Sequence, residues 1–227
     1  MNRKKLILKK TGNYLLDILF PKFCIGCKQL NTYLCNDCLS LIDTNTRPSN
    51  KEPELDKLFF ITDYHNIIVK KLIQKFKYPP FAKNLTDVFG SFIINYFQGI
   101  EKSPEFLTEK QNYIIIPIPL SRKRLKWRGF NQAEEIANKL SSFSGIPVVK
   151  NVLLRIKNTK PQANLTQSQR KNNLANVFYC QNSEKIKTKK VLLVDDVYTT
   201  GTTMKEAAQV LKSAGIQHIS GFVIARD

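Results

Sequence analysis

The chain has 227 residues, is 42% hydrophobic and carries a formal net charge of +18. That length buries a full α/β core with room for one small module, and the hydrophobic content excludes a globally disordered chain. The 36 basic residues against 18 acidic ones point to polyanionic partners, nucleic acid or a phosphorylated substrate. A lysine-rich genome produces the same excess without any function, so the placement of the charge has to decide.

Residues 6–19 read as a helix, with Leu8, Leu15, Ile18 and Leu19 on one side and lysines opposite. Lys9, Lys10 and Asp17 interrupt the first twenty residues, so neither a signal-peptide core nor a membrane span is expected. A cytoplasmic location follows as the default. Cys24-x-x-Cys27 and Cys35-x-x-Cys38 come next. Paired knuckles of this kind bring four thiolates to one point, the tetrahedral set of a structural Zn²⁺, and Gly26 supports a tight knuckle turn. Two disulfides are the reading for an oxidising compartment, and a redox pair needs no second copy. With cysteine at all four positions no coordination site is open, so the metal is expected to hold structure and not to do chemistry. Bound zinc contributes on the order of 10 kcal/mol to folding so small a module.

Residues 43–54 are polar, with Pro48, Ser49, Asn50 and Pro53, and read as a linker from the 1–42 ribbon module to a 55–227 main domain. A strand is expected at 58–64 and a helix at 67–76. The helix ends at Lys75, Lys77 and the Tyr78-Pro79-Pro80 break. Lys77 there could reach a ligand, or simply compensate the helix dipole. A second helix is expected at 82–97 and a buried strand at 113–116.

After Pro117-Ile118-Pro119-Leu120 the chain reads Ser121-Arg122-Lys123-Arg124-Leu125-Lys126-Trp127-Arg128-Gly129-Phe130-Asn131-Gln132. Cations concentrated at the carboxyl end of a strand favour function over drift, and arginine's rigid donor fork suits a pyrophosphate. Arg124, Lys126, Trp127 and Phe130 also suit a single strand of nucleic acid, the rings stacking on exposed bases. The plain alternative is a solvated basic loop with its aromatics tucked into the core. A helix at 133–140 and short strands at 146–149 and 152–156 follow. The polar stretch 158–173, with Thr159, Gln162, Arg170 and Asn173, is long enough for a lid. Strands at 177–179 and 219–224 complete the set. Cys180 reads as packing, and His65 and His218 have no metal-ligand company.

The centre of the chain's chemistry is 190–203. Residues 191–194 form an apolar strand, Asp195 and Asp196 stand at its carboxyl end, and Thr199, Thr200, Gly201, Thr202 and Thr203 lead into a helix. Hydroxyls around a glycine at a helix N-terminus cradle phosphate, and adjacent carboxylates accept from a ribose diol or bind the Mg²⁺ that travels with a pyrophosphate. A capping turn with solvated acids is the bland alternative. A Walker A loop would need a lysine where Thr202 stands, and a receiver domain needs more chain after its aspartates than remains here.

This run resembles the 5-phosphoribosyl-1-pyrophosphate (PRPP) motif of type I phosphoribosyltransferases. Together with the four-cysteine ribbon, Pro117-Ile118-Pro119-Leu120 and Arg128-Gly129-Phe130-Asn131-Gln132, it is similar to the ComF family over most of the chain. Thr159, Gln162, Leu165, Arg170, Asn173 and Phe178 fit the family's pattern too. Pro79-Pro80 departs from it, which weakens a ligand role for Lys77. The resemblance implies an α/β fold, a mostly parallel sheet flanked by helices with a small hood. It implies PRPP binding, with Asp195 and Asp196 at the ribose, Thr199 to Thr203 on the 5′-phosphate, and Ser121, Arg122 and Arg128 near the pyrophosphate. An Mg²⁺-dependent pentosyl transferase is then expected, Asp195, Asp196 and Arg128 being its catalytic candidates and the acceptor unspecified. The alternative is a protein of DNA uptake that grips single-stranded DNA and uses PRPP as a ligand without turnover.

Overall fold

The computed structural model describes residues 21–45, 47–50, 52–79, 83–157 and 177–227. The chain divides into two compact units, Met1–Ile42 and Asp43–Asp227. The stretches expected as an N-terminal helix (6–19) and as a lid (158–173) lie outside the described residues.

The second unit is built on a four-stranded parallel sheet. Its strands are β1 (Leu58–Asp63), β2 (Tyr113–Pro117), β5 (Lys190–Tyr198) and β6 (Ile219–Arg226), arranged β1-β6-β5-β2. All of β2 and nearly all of β6 are buried, as the unbroken apolar runs of a sheet covered on both faces require. A single parallel bridge from Val148 to Ile115 is all that forms where a strand was expected at 146–149.

Helices α2 (Ile67–Lys77), α3 (Leu85–Gly99), α4 (Glu105–Thr108) and α6 (Gln132–Ser144) contribute an aromatic layer. Phe76 meets Phe89 and Phe130, and Tyr96 and Phe97 meet Phe222 of β6. Helix α7 (Thr202–Ser213) packs Met204, Ala207, Ala208 and Leu211 into a separate cluster with Val191, Leu193, Ile219 and Val223. Neighbours on one strand point to opposite faces, so Phe222 and Val223 serve different layers. A short antiparallel pair, β3 (Leu153–Arg155) and β4 (Phe178–Cys180), stands apart from the main sheet. Cys180 is half-buried against the α7 cluster, in keeping with a packing role.

Two expectations change in ways that matter for the site. Strand β5 does not stop at Val194: β6 continues beside it, pairing Asp195 with Val223 and Tyr198 with Arg226, so both acids lie inside a strand. The basic stretch, for which the sequence reading named no helix, forms one, α5 (Arg122–Arg128). The Ser121 hydroxyl caps its start by accepting from Arg124 N at 3.3 Å, and Gly129 closes it at φ 82°. Residues 43–45, 47–50 and 52–54, expected as a linker, belong to the second unit. Ser49 pairs with Leu58, and Asp43 O accepts from the Thr62 hydroxyl.

In the first unit, Phe23 bridges Leu30 around a turn, and α1 (Asn36–Ser40) follows it. No helix among the described residues is long and apolar enough to cross a membrane.

Candidate functional site

Strand alternation separates the two acids at the end of β5. Asp196 turns to the α2 side, is 5% exposed, and meets Lys77 with Nζ 2.8 Å from Oδ1. Helix α2 ends at Lys77 because Tyr78, ahead of Pro79, must be extended. The ammonium is therefore delivered at the sheet's carboxyl edge. Burial alone would lower the Lys77 pKa, but the charge and hydrogen bond of Asp196 leave it raised. Lys77 is thus a member of the site and not merely a dipole-compensating cation. Asp195 turns the other way and lines a small hollow with Thr199, Thr200, Gly201, Thr202 and Thr203. Burial, then the neighbouring Asp196 charge, pushes its carboxyl up to about 7.

The hollow is shaped by Gly201. Its φ of 69° favours glycine, and a Cβ there would collide with the Tyr198 hydroxyl. Helix α7 starts at the next residue, so its N-terminal N–H groups border the hollow. The hydroxyls of Thr200 and Thr202 lie 2.7 Å apart. The arrangement offers hydroxyls and amides to an anion the size of a phosphate.

Cations converge on the acids from two further elements. Arg128 of α5 feels the charges of both Asp196 and Asp195, and burial lowers its pKa. Its Nε is buried with no hydrogen-bond partner among the described residues. Arg155 of β3 is pulled down to about 10 by burial and by Arg124, while the Asp195 charge acts the other way. Arg155 is the site residue that the sequence reading passed over, since an arginine on a short strand carries no motif. Of the expected pyrophosphate residues, Arg128 is thus gathered with the acids. Ser121 is buried with its hydroxyl committed to the helix cap, and exposed Arg122 lines a separate cleft of about 680 Å³ with Leu125, Asn131 and Arg155. Among the expected nucleic-acid residues, Lys126 is exposed and Trp127 is 53% exposed. Phe130 is 7% exposed and packs at 5.1 Å on Phe76, so its ring serves the core and presents no open face for a base.

Residues 125–227 match the phosphoribosyl transferase domain family. Competence protein F of Haemophilus influenzae is 30% identical over 210 residues, which span 89% of this chain and 90% of that protein. The chain belongs to the ComF family. Other ComF relatives match over less of their length. Competence protein ComFC of Bacillus subtilis is 27% identical over 164 residues, 72% of this chain and 62% of the relative. The DNA utilization protein YhgH of Escherichia coli is 31% identical over 112 residues, 49% and 48% respectively.

The ComF ribbon gathers its cysteines as their spacing predicts. The sulfurs of Cys24, Cys27, Cys35 and Cys38 all lie within 4.8 Å of one another. Cys24 Sγ is 3.7 Å and Cys27 Sγ 3.5 Å from Cys35 Sγ. A tetrahedron of Zn–S bonds of about 2.3 Å has edges of roughly 3.8 Å, so the set is compatible with a structural zinc. Cys35 N donates to Cys24 Sγ and Cys38 N to Cys35 Sγ, both at 3.4 Å, which favours thiolate. No other metal-ligating cluster occurs among the described residues. His65 sits instead between single oxygens of Asp63 and Asp227, at 3.1 and 3.4 Å.

Proposed function

We propose that this ComF protein binds PRPP at the carboxyl end of β5 and transfers its phosphoribosyl group. The observation carrying this reading is the convergence on one strand end of a hydroxyl-lined hollow at a helix N-terminus, an acid pair and the cations Lys77, Arg128 and Arg155. The 5′-phosphate enters the hollow of Thr199 to Thr203, where N–H groups and the α7 dipole favour its charge. Asp195 accepts from the ribose hydroxyls, while Asp196, buried against Lys77, holds that cation at the strand end instead of reaching the sugar as the resemblance implies. Arg128, with Arg124 and Arg155, holds the pyrophosphate; Ser121 serves as the cap of α5, and Arg122 faces the neighbouring cleft. Departure of pyrophosphate leaves an oxocarbenium-like sugar, whose charge the adjacent carboxylates offset, so catalysis rests on positioning and electrostatics. Mg²⁺ suits the oxygen donors gathered here and would neutralise the pyrophosphate, with Asp195 as its protein ligand. In the ribbon, Cys24, Cys27, Cys35 and Cys38 hold one structural Zn²⁺.

Calorimetry with PRPP and Mg²⁺ tests the reading. Wild-type protein is expected to bind, and Asp195→Asn to lose at least tenfold in affinity with its fold intact. Unchanged affinity in the variant would remove the site. Pyrophosphate release across candidate acceptors then separates turnover from binding alone.

A second reading is supported by the exposed Trp127 among Arg124 and Lys126, and by relatives named for competence and DNA utilization. In it, α5 grips single-stranded DNA during uptake, and PRPP is a ligand without turnover. Binding of labelled oligonucleotides at low salt tests this; a chain that binds none rules it out.

A further inference from the structure

We infer that Glu52 is a positioning residue for the phosphate hollow: through Tyr198, it holds the turn at Gly201 in the form that receives a phosphate monoester. The inference rests on the site reading above and names a residue outside every motif in it.

Glu52 belongs to a polar stretch with no secondary structure, yet its side chain is 8% exposed. Each carboxylate oxygen is engaged. Oε2 accepts from the Tyr198 hydroxyl at 2.6 Å, while Oε1 takes Arg226 Nη2 at 2.6 Å and the Ser49 hydroxyl at 2.9 Å. Tyr198 in turn lines the hollow, and its hydroxyl fills the place a Cβ on residue 201 would need. Ring position and turn conformation therefore fix one another. The Tyr198 backbone is tied as well, since its carbonyl accepts from Asp227 N at 2.9 Å.

A carboxylate beneath an anion site looks adverse, but Arg226 offsets its charge at contact distance. What remains is a charge-assisted acceptor that orients the phenol. The phenol proton is committed to Glu52, so Tyr198 contributes shape to the hollow and not a hydrogen bond to the ligand.

The test uses the full-length chain with two probes, ribose 5-phosphate and inorganic pyrophosphate, titrated calorimetrically. Glu52→Ala and Tyr198→Phe are expected to lose about tenfold in affinity for ribose 5-phosphate, the effect of one oriented hydrogen bond, and to keep wild-type affinity for pyrophosphate. Glu52→Gln retains a carbonyl that accepts from Tyr198 and is expected to stay within about threefold of wild type. A purely structural role would weaken both probes in step with melting temperature and would make Gln as poor as Ala; either pattern overturns the inference. Tyr198→Phe removes one oxygen and keeps the test available should Glu52→Ala fail to fold. A wild-type chain that binds pyrophosphate but not ribose 5-phosphate overturns the inference alone, and one that binds neither overturns the site reading with it.

Discussion

Lys77 Nζ stands 2.8 Å from Asp196 Oδ1, joining the last turn of α2 to the acid end of β5 across 119 positions of sequence. Asp196 is 5% exposed, so the partner it would otherwise need is water it cannot reach. Lys77→Met is expected to destabilise the protein by about 3 kcal/mol, because a buried carboxylate loses its counter-charge. Lys77→Met with Asp196→Asn should cost less than the sum of the two singles, as read by urea denaturation in a double-mutant cycle. Additive costs would mean the pair does not interact.

Asp195 has the pH signature. Its folded pKa of about 7 lies above the ordinary 3.8, so the native state holds a proton the unfolded chain has released. Its stabilising contribution is full below about pH 4 and is lost as pH rises through 7. Asp195→Asn has no such loss. The variant should therefore gain on wild type between pH 5 and pH 8, on the order of 2 kcal/mol after allowance for partial solvent access, in ligand-free denaturation curves. A gap independent of pH would mean the carboxyl titrates normally.

The two aromatics of the basic segment should behave differently. Trp127→Ala is expected to weaken single-stranded DNA binding by about 1–3 kcal/mol with little change in melting temperature. Phe130→Ala should instead cost about 3–5 kcal/mol of stability, since its ring is part of the Phe76 cluster. Affinity of the wild type should fall steeply with salt.

For the ribbon, elemental analysis should find one zinc per chain. Cys24→Ser should abolish it while leaving the unfolding transition of the 43–227 unit in place, because the cysteines all belong to the 1–42 unit. A folded, metal-free ribbon would contradict the assignment.

Local chemistry was readable wherever it depends on neighbours in sequence. The cysteine spacing placed four sulfurs together, and the hydroxyl run around Gly201 announced its turn, because each is a matter of a few bonds and one helix end. Residues 191–194 were recognisable as strand from their apolar character. The continuation through Asp195 to Tyr198 was not, since polar residues extend a strand only when a partner such as β6 runs alongside.

Long-range pairings lay beyond that reach. Nothing in the order of residues says that Lys77 meets Asp196, that the Asp195 charge acts on Arg155 of β3, or that Glu52 holds the Tyr198 hydroxyl. Phe130 shows the same limit: among cations it looked like a base-stacking ring, and burial against Phe76 made it core. Composition and spacing are properties of the chain, whereas which side chain is desolvated, and by whom it is then compensated, exists only once distant segments are folded against each other.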